Sequence, residues 1–278
     1  MRRACSVVLS SLALVAAACE RADDGASGAE PGALEDPFAL ELVELELPAQ
    51  RGERLVVYLD AGHGAPDNEG NRSSLCELEQ DTMHDLALDL GAALEAYGGF
   101  VVVPSRTGDE LVPYAERVAD AERVGADVFL SLHSDVRGQV REWSPEPGLV
   151  CRASHDAPGF TVLYSDEGPA ELAAARAALC ATITGSMRAA GFSAYDGAEY
   201  VGLYAPSGPS GCFVDRHAAD KRIMVLRRPT MPSVIVETHN ALDPREAVAF
   251  RDPLVREAFA RAIAHALRSL PAQGLSLR

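Results

Sequence analysis

Two histidines and two glutamates stand where the chain can bring them together for hydrolytic chemistry. His63 follows Asp60-Ala61-Gly62 after the apolar run Leu55-Val56-Val57-Tyr58-Leu59, and His133 closes the run Val128-Phe129-Leu130-Ser131-Leu132. Glu79 lies just before a helical pattern leading to Leu86, and Glu237 closes Met231-Pro232-Ser233-Val234-Ile235-Val236. Zinc in a hydrolytic site takes three protein ligands, commonly imidazole and carboxylate, and keeps a fourth position for water. His63, Glu79 and His133 supply that set from separate elements, with Glu237 as the candidate base. Each alone has a plainer reading: a hydrogen-bonded histidine at a strand end, a helix-start carboxylate favoured by the dipole, a solvated glutamate ending a strand. The inference rests on the combination. His84, His155, His217 and His265 remain as other metal candidates, while Cys76, close to Glu79, has disulfide formation as a competing use. Ser207-Gly208-Pro209-Ser210-Gly211 has no strand leading into it, which argues against a serine nucleophile elbow.

The elements that must position these residues alternate in type. Buried strands are expected at 55–59, 100–104, 128–132, 160–164, 223–226 and 233–236, each a short apolar run bounded by glycine, proline or polar residues. Helical spacing marks 86–97, 111–124, 170–190 and 245–270, with Gly98-Gly99 and Gly125 as stops. Such alternation predicts a single α/β layered domain whose mostly parallel, mixed sheet is flanked by helices on both faces. In open α/β sheets functional groups gather at the carboxyl ends of strands, where His63 and His133 fall. The stretches 136–159 and 191–222 lack periodicity and read as long loops, which are usually functional.

The ends bound the compartment. Arg2 and Arg3 precede an uncharged run too short for a membrane span, so residues 1–18 read as a signal peptide. Ala16-Ala17-Ala18-Cys19 resembles a lipobox and equally fits ordinary signal cleavage. Residues 19–52 then read as an acidic linker, lipid-anchored at Cys19 in the first case, with 38–47 a weak edge-strand candidate, and 53–278 as the catalytic domain of a monomer. Loss of Arg2 and Arg3 takes the basic count from 25 to 23 against 41 acids, a net charge of −18. A surface that acidic repels nucleic acid. The four remaining cysteines, Cys76, Cys151, Cys180 and Cys212, can form two disulfides in three connectivities in an oxidising compartment. Cys151 and Cys212, in loop-like stretches, are the first candidates for pairing, whereas Cys180 also reads as a buried helix residue.

Taken together, the motifs resemble the zinc-dependent N-acetylmuramoyl-L-alanine amidases of the third amidase family over nearly the whole domain. Leu59-Asp60-Ala61-Gly62-His63-Gly64 is similar to that family's first zinc motif, and Glu79-Gln80-Asp81 to its Glu-Lys-Asp motif. Pro104-Ser105-Arg106, the helix at Leu111 to Arg117 and Asp127 to His133 resemble its central segments, and Met231-Pro232 through Glu237-Thr238 its closing one. Asp243-Pro244-Arg245-Glu246-Ala247 resembles its Asn-Pro-x-Glu-Ala tail.

The resemblance implies Zn²⁺ held by His63, Glu79 and His133, Glu237 as catalytic acid and base, and peptidoglycan as substrate. The signal segment, with Glu20 after Cys19 where an inner-membrane retention signal carries Asp, points to a periplasmic protein, held by its lipid at the outer membrane or else freely secreted. Asp60, three residues before His63, either orients its imidazole or caps the turn. His239-Asn240 replaces the family's usual Gly-Phe, and Ala65 replaces a glycine. His239 either tunes Glu237 and the substrate mouth or packs in a turn. These departures keep open a zinc amidohydrolase for small acyl-amino acids or peptides, beside a silent wall-binding module. The long loops are expected to form a lid or a surface for a protein regulator.

Overall fold

Along the central strands, alternate side chains divide between two apolar layers, as a pleated sheet covered on both faces requires. Val57, Leu59 and Ala61 of strand β1 (Leu55–Ala61) join one core, while Tyr58 joins the other. Leu130 and Leu132 of β3 (Val128–Asp135) repeat the division against Phe129, and Val234 and Val236 of β9 (Ser233–Asn240) repeat it against Ile235. The computed structural model on which this description rests covers residues 40–50 and 52–270. The signal segment, Cys19 and the linker up to residue 39 lie outside the described residues.

Seven strands form one sheet in the order β2-β1-β3-β9-β6-β8-β7, with β2 at Phe100–Pro104, β6 at Thr161–Tyr164, β7 at Tyr204–Pro206 and β8 at Cys212–Asp215. The four strands from β2 to β9 run parallel. β6 is antiparallel to β9 and parallel to β8, and β7 turns back on β8. The sheet is therefore mixed across a whole half rather than at one edge strand.

Three long helices cover one face: α1 (Glu79–Tyr97), α3 (Ala170–Ala189) and α6 (Pro253–Ser269). Their Leu86, Leu90, Leu94, Leu179, Ile183, Phe259, Ile263 and Leu267 are at most 2% exposed. The other face is thinner, with α2 (Tyr114–Arg123), the short α4 (Met224–Arg227) and Tyr195 and Tyr200 from the 191–222 stretch.

Several expectations need correction. Residues 223–226, read as a strand, hold α4: Val225 and Leu226 are adjacent yet both buried while Met224 is exposed, which a helical turn allows and a pleat does not. The single helix expected over 245–270 is two, α5 (Pro244–Ala249) and α6, because Asp252 caps a new start and Pro253 cannot continue the old one. The 136–159 stretch contains an antiparallel hairpin, β4 (Arg141–Trp143) and β5 (Cys151–Ala153), and 191–222 supplies β7 and β8. Residues 40–50 form no strand. Leu40, Leu42, Leu45 and Leu47 instead pack on the three-helix core, Val43 N donates to Ala190 O, and Arg268 holds Pro48 O.

The four cysteines pair as Cys76–Cys151 and Cys180–Cys212. Cys151 and Cys212 are thus each bonded, but to Cys76 and Cys180. The second bridge lies fully in the core, so Cys180 is both buried and cross-linked.

Candidate metal centre

The carboxyl end of the parallel half is where the four singled-out residues arrive. His63 sits just past β1 with φ 57°, followed by Gly64 at φ 63°, a left-handed corner that turns the imidazole back over the sheet end. Arg117, fully buried, fixes that corner: it donates to the carbonyls of Ala61, His63 and Val112 and pairs with Asp60 at 2.9 Å. Ser131 Oγ donates to the other Asp60 oxygen. Asp60 therefore acts through Arg117 on the backbone and does not orient the His63 ring.

Glu79 opens α1 rather than preceding it, and its side chain is buried between the two imidazoles. His63 Nε2 lies 3.0 Å from its Oε2 and His133 Nδ1 3.1 Å from its Oε1. His133 sits within β3, two residues before its end. One ligand atom from each of His63, Glu79 and His133 falls within 4.8 Å of the others. A tetrahedral ion with bonds of about 2.0–2.2 Å sets its ligands roughly 3.5 Å apart, so a small closure suffices.

The surroundings hold these atoms in place. Asn68 Nδ2 donates to Tyr114 Oη, which leaves its Oδ1 to accept from His63 Nδ1 at 2.7 Å and turns Nε2 toward the cluster. Asn71 donates to Glu79 Oε2 from its backbone and its side chain, and Ser134 N donates to Oε1. Two glycines press on the ligands. A Cβ at Gly62 would come within 2.3 Å of Leu132 O and 2.6 Å of the His133 ring, and one at Gly70 within 2.7 Å of both Glu79 and His63. Burial would raise the Glu79 carboxyl, yet the hydrogen bonds and charges of His133 and His63 win and hold it well below the carboxylate range. Burial would likewise lower His63, and the Glu79 contact raises it instead.

Glu237 differs. It is paired in register with His133 across β3 and β9 and with Thr161 on the other side, inside the strand rather than at its tip. Its Oε2 is buried with no hydrogen-bond partner. Burial, Asp135 and Glu79 push its carboxyl well above the usual range against the pull of Arg137. Asp135 itself accepts from Val136 N and Tyr200 Oη.

One residue past Glu237 the register slips. His133 pairs with Glu237 but Asp135 pairs with Asn240, so β9 carries one extra residue there. Thr238, His239 and Asn240 are consequently all buried. The His239 ring stacks on Phe250 at 4.5 Å, its Nδ1 contacts Thr238 Oγ1, and burial pushes its pKa down to about 3. Asn240 accepts from Leu242 N and Arg137 N and donates to the carbonyls of Arg137 and Ala157. Both are packing residues. Glu246, taking Gly159 N and Asn240 N, is raised by its burial to about 7.

A family model described as N-acetylmuramoyl-L-alanine amidase matches residues 57–269. The chain belongs to that family. AmiA of Salmonella typhimurium is 25% identical over 225 residues, 78% of this chain and 76% of AmiA. AmiC of Escherichia coli O6:H1 is 34% identical over 87 residues, 31% of this chain, and that match spans only 21% of AmiC's own length. Among solved structures, the amidase Ami1 of Mycobacterium smegmatis shares the fold, with a TM-score of 0.60 at 24% identity over 77% of this chain and 95% of Ami1.

Within this amidase fold the structure brings His63, Glu79 and His133 together and sets Glu237 beside them. It leaves His84, His155, His217 and His265 outside any such cluster among the described residues. Cys76, in a disulfide, has no thiolate to offer. Asn68, Asn71, Arg117 and the two glycines were not singled out from the sequence. For Asn68, Gly70 and Asn71 the signal is the density of Asn and Gly in Asp67-Asn68-Glu69-Gly70-Asn71, between two candidate ligands, whereas Gly62 and Arg117 lie outside that segment.

Proposed function

We propose that the chain is a zinc-dependent N-acetylmuramoyl-L-alanine amidase that cleaves the amide between the lactyl group of N-acetylmuramic acid and L-alanine in peptidoglycan. The observation that carries the reading is the convergence of His63, Glu79 and His133 beside the register-paired Glu237 within the family-matched domain. Two imidazole nitrogens and one carboxylate oxygen, each braced by its own hydrogen bonds, are a donor set that fits zinc. When bound, the ion supplies Lewis-acid activation of water and of the scissile carbonyl.

The chain's own residues do the rest. Glu237, with a buried oxygen that no protein group occupies and a carboxyl that burial raises above the usual range, takes the proton from the attacking water. The same carboxyl then gives that proton to the departing alanine nitrogen. Asn71 and Asn68 keep Glu79 and His63 from turning away, and the buried Asp60–Arg117 pair keeps the corner that carries His63. The reading for small acyl-amino acids rested on His239 and Asn240 altering the mouth. Both are buried in packing roles, so nothing in the site favours it.

We place the enzyme outside the cytoplasm, as a monomer anchored through Cys19 at the periplasmic face of the outer membrane. Two disulfides support an oxidising compartment. No helix of the described residues is long and apolar enough to cross a membrane. A protein regulator, if one acts, has the exposed Val201 and Leu203 in the 191–222 stretch to touch. The test is metal analysis coupled to sacculus digestion: about one zinc per chain and release of free stem peptides are expected, and sacculi left intact by zinc-loaded protein would refute the assignment.

A further inference from the structure

Arg106 follows β2 at the same end of the sheet as the metal cluster, and no step of the proposed hydrolysis uses it. Its backbone is pinned to β1 through its neighbour: Ser105 N donates to Leu59 O, and Ala61 N donates to Ser105 Oγ at 3.2 Å. The residue is only 6% exposed. Among the described residues no carboxylate makes an ion pair with it, and its Nε has no hydrogen-bond partner. Burial, joined by the like charge of Arg117, pulls the guanidinium below its ordinary value. A buried charge without a counter-ion is costly, so a fold that keeps one draws something from it.

What it touches is specific. Its Nη2 donates to Gln80 O, in the first turn of α1. The guanidinium also lies against Gly64: a Cβ there would come within 2.9 Å of its Cζ and Nε and 3.2 Å of its Nη2. Gly64 follows His63 and Gln80 follows Glu79, so one rigid group bears on the residue after each of two candidate ligands. The start of α1 needs such a hold. It has no capping side chain, and Glu79 N and Gln80 N donate instead to Asn71 O and Glu69 O of the preceding loop. A planar fork can press on one backbone while donating to another, which a lysine ammonium cannot. Capture of an anion is disfavoured, because the cleft of about 350 Å³ that Arg106 lines also carries Asp81, Asp85 and Asp109.

We propose that Arg106 is a positioning residue for the metal centre, a strut that sets the spacing between His63 and Glu79 from outside the ligand cluster. The inference rests on the amidase reading above and goes beyond it by naming what holds two of the ligands at their working separation.

The test compares the mature protein with R106M, which removes charge and donors at similar length, and R106K, which keeps the charge and a donor but no plane. Zinc affinity, measured by chelator competition, is expected to fall about 10–100-fold in R106M and by less in R106K. The visible absorption of cobalt-loaded R106M should shift, reporting altered ligand geometry. Metal-free R106M should melt at or above the wild-type temperature, since a buried unpaired charge has gone. Zinc-saturated R106M should keep the wild-type KM and lose kcat.

Unchanged zinc affinity and cobalt spectrum in R106M would overturn the proposal. So would a metal-free melting temperature that falls together with the affinity, the behaviour of an ordinary packing residue. R106K indistinguishable from wild type would show that a point charge suffices and sink the strut, and a raised KM at unchanged affinity would move Arg106 to the substrate. Failure of the amidase reading looks different, since zinc-loaded wild type would then leave sacculi intact whatever the variants bind.

Discussion

The corner around Glu79 and the strand around Glu237 hold the same functional group in opposite electrostatic settings. At Glu79 both oxygens are engaged, by two imidazoles, the Asn71 donors and Ser134 N. At Glu237 one oxygen has no partner, and burial with the carboxylates of Asp135 and Glu79 outweighs the opposing pull of Arg137. The first arrangement holds a permanent anion, as a ligand must be. The second holds a carboxyl that exchanges its proton readily, as a general base must. Environment, not residue type, divides the two roles.

Four measurements can break or refine this contrast. The largest effects separate the two acids directly. Glu237→Ala should retain about one zinc per chain while sacculus cleavage falls by about 10²–10⁴-fold, whereas Glu79→Ala should lose both metal and activity. A Glu79→Ala protein that still binds zinc would erase the distinction.

Gly62→Ala comes next. The added methyl meets Leu132 O and the His133 ring far inside contact distance, so the ring must shift. A shift of that kind is expected to lower kcat by about 10²-fold with the fold retained, and near-normal kcat would show that the glycine is not a wall of the site.

Asn71→Ala should be milder, weakening zinc affinity about 10–100-fold through Glu79 and recovering activity in excess zinc. Lack of recovery would mean that Asn71 does more than orient a ligand.

The smallest effect concerns His239, two residues past Glu237. Its pKa is about 3 in the fold against about 6.5 unfolded, so the unfolded chain binds the proton more readily. The associated stability is fully present above pH 6.5 and is lost as pH falls toward 3, at up to about 1.4 kcal/mol per pH unit. His239→Phe keeps the ring on Phe250 and should flatten urea-unfolding stability between pH 6.5 and 5. Parallel profiles for the two proteins would place the acid sensitivity elsewhere.

The same contrast shows how far the sequence could be read. His63, His133 and Glu237 were visible because buried strands deliver them, and short continuous apolar runs bounded by glycine, proline or polar residues mark such strands. Glu79 was visible only by its company. The helix at α4 was misread because four apolar residues fit either period, and only burial of adjacent side chains separates them. The β9 bulge was invisible: one extra residue leaves no mark on composition, yet it turns His239 and Asn240 inward and removes them from the mouth. Asn71 escaped because its role depends on a loop returning to Glu79 from eight residues upstream, a distance set by tertiary folding alone.

The left-handed corner at His63 has a further consequence. A residue with a Cβ held there costs roughly 1–2 kcal/mol relative to an ordinary backbone conformation, a strain that glycine largely avoids. Folding preference alone would put glycine at 63 as it does at 64. The chain instead keeps an imidazole in a posture it resists and clamps it with a buried guanidinium, a local compromise in which thermodynamic comfort yields to the aim of one nitrogen.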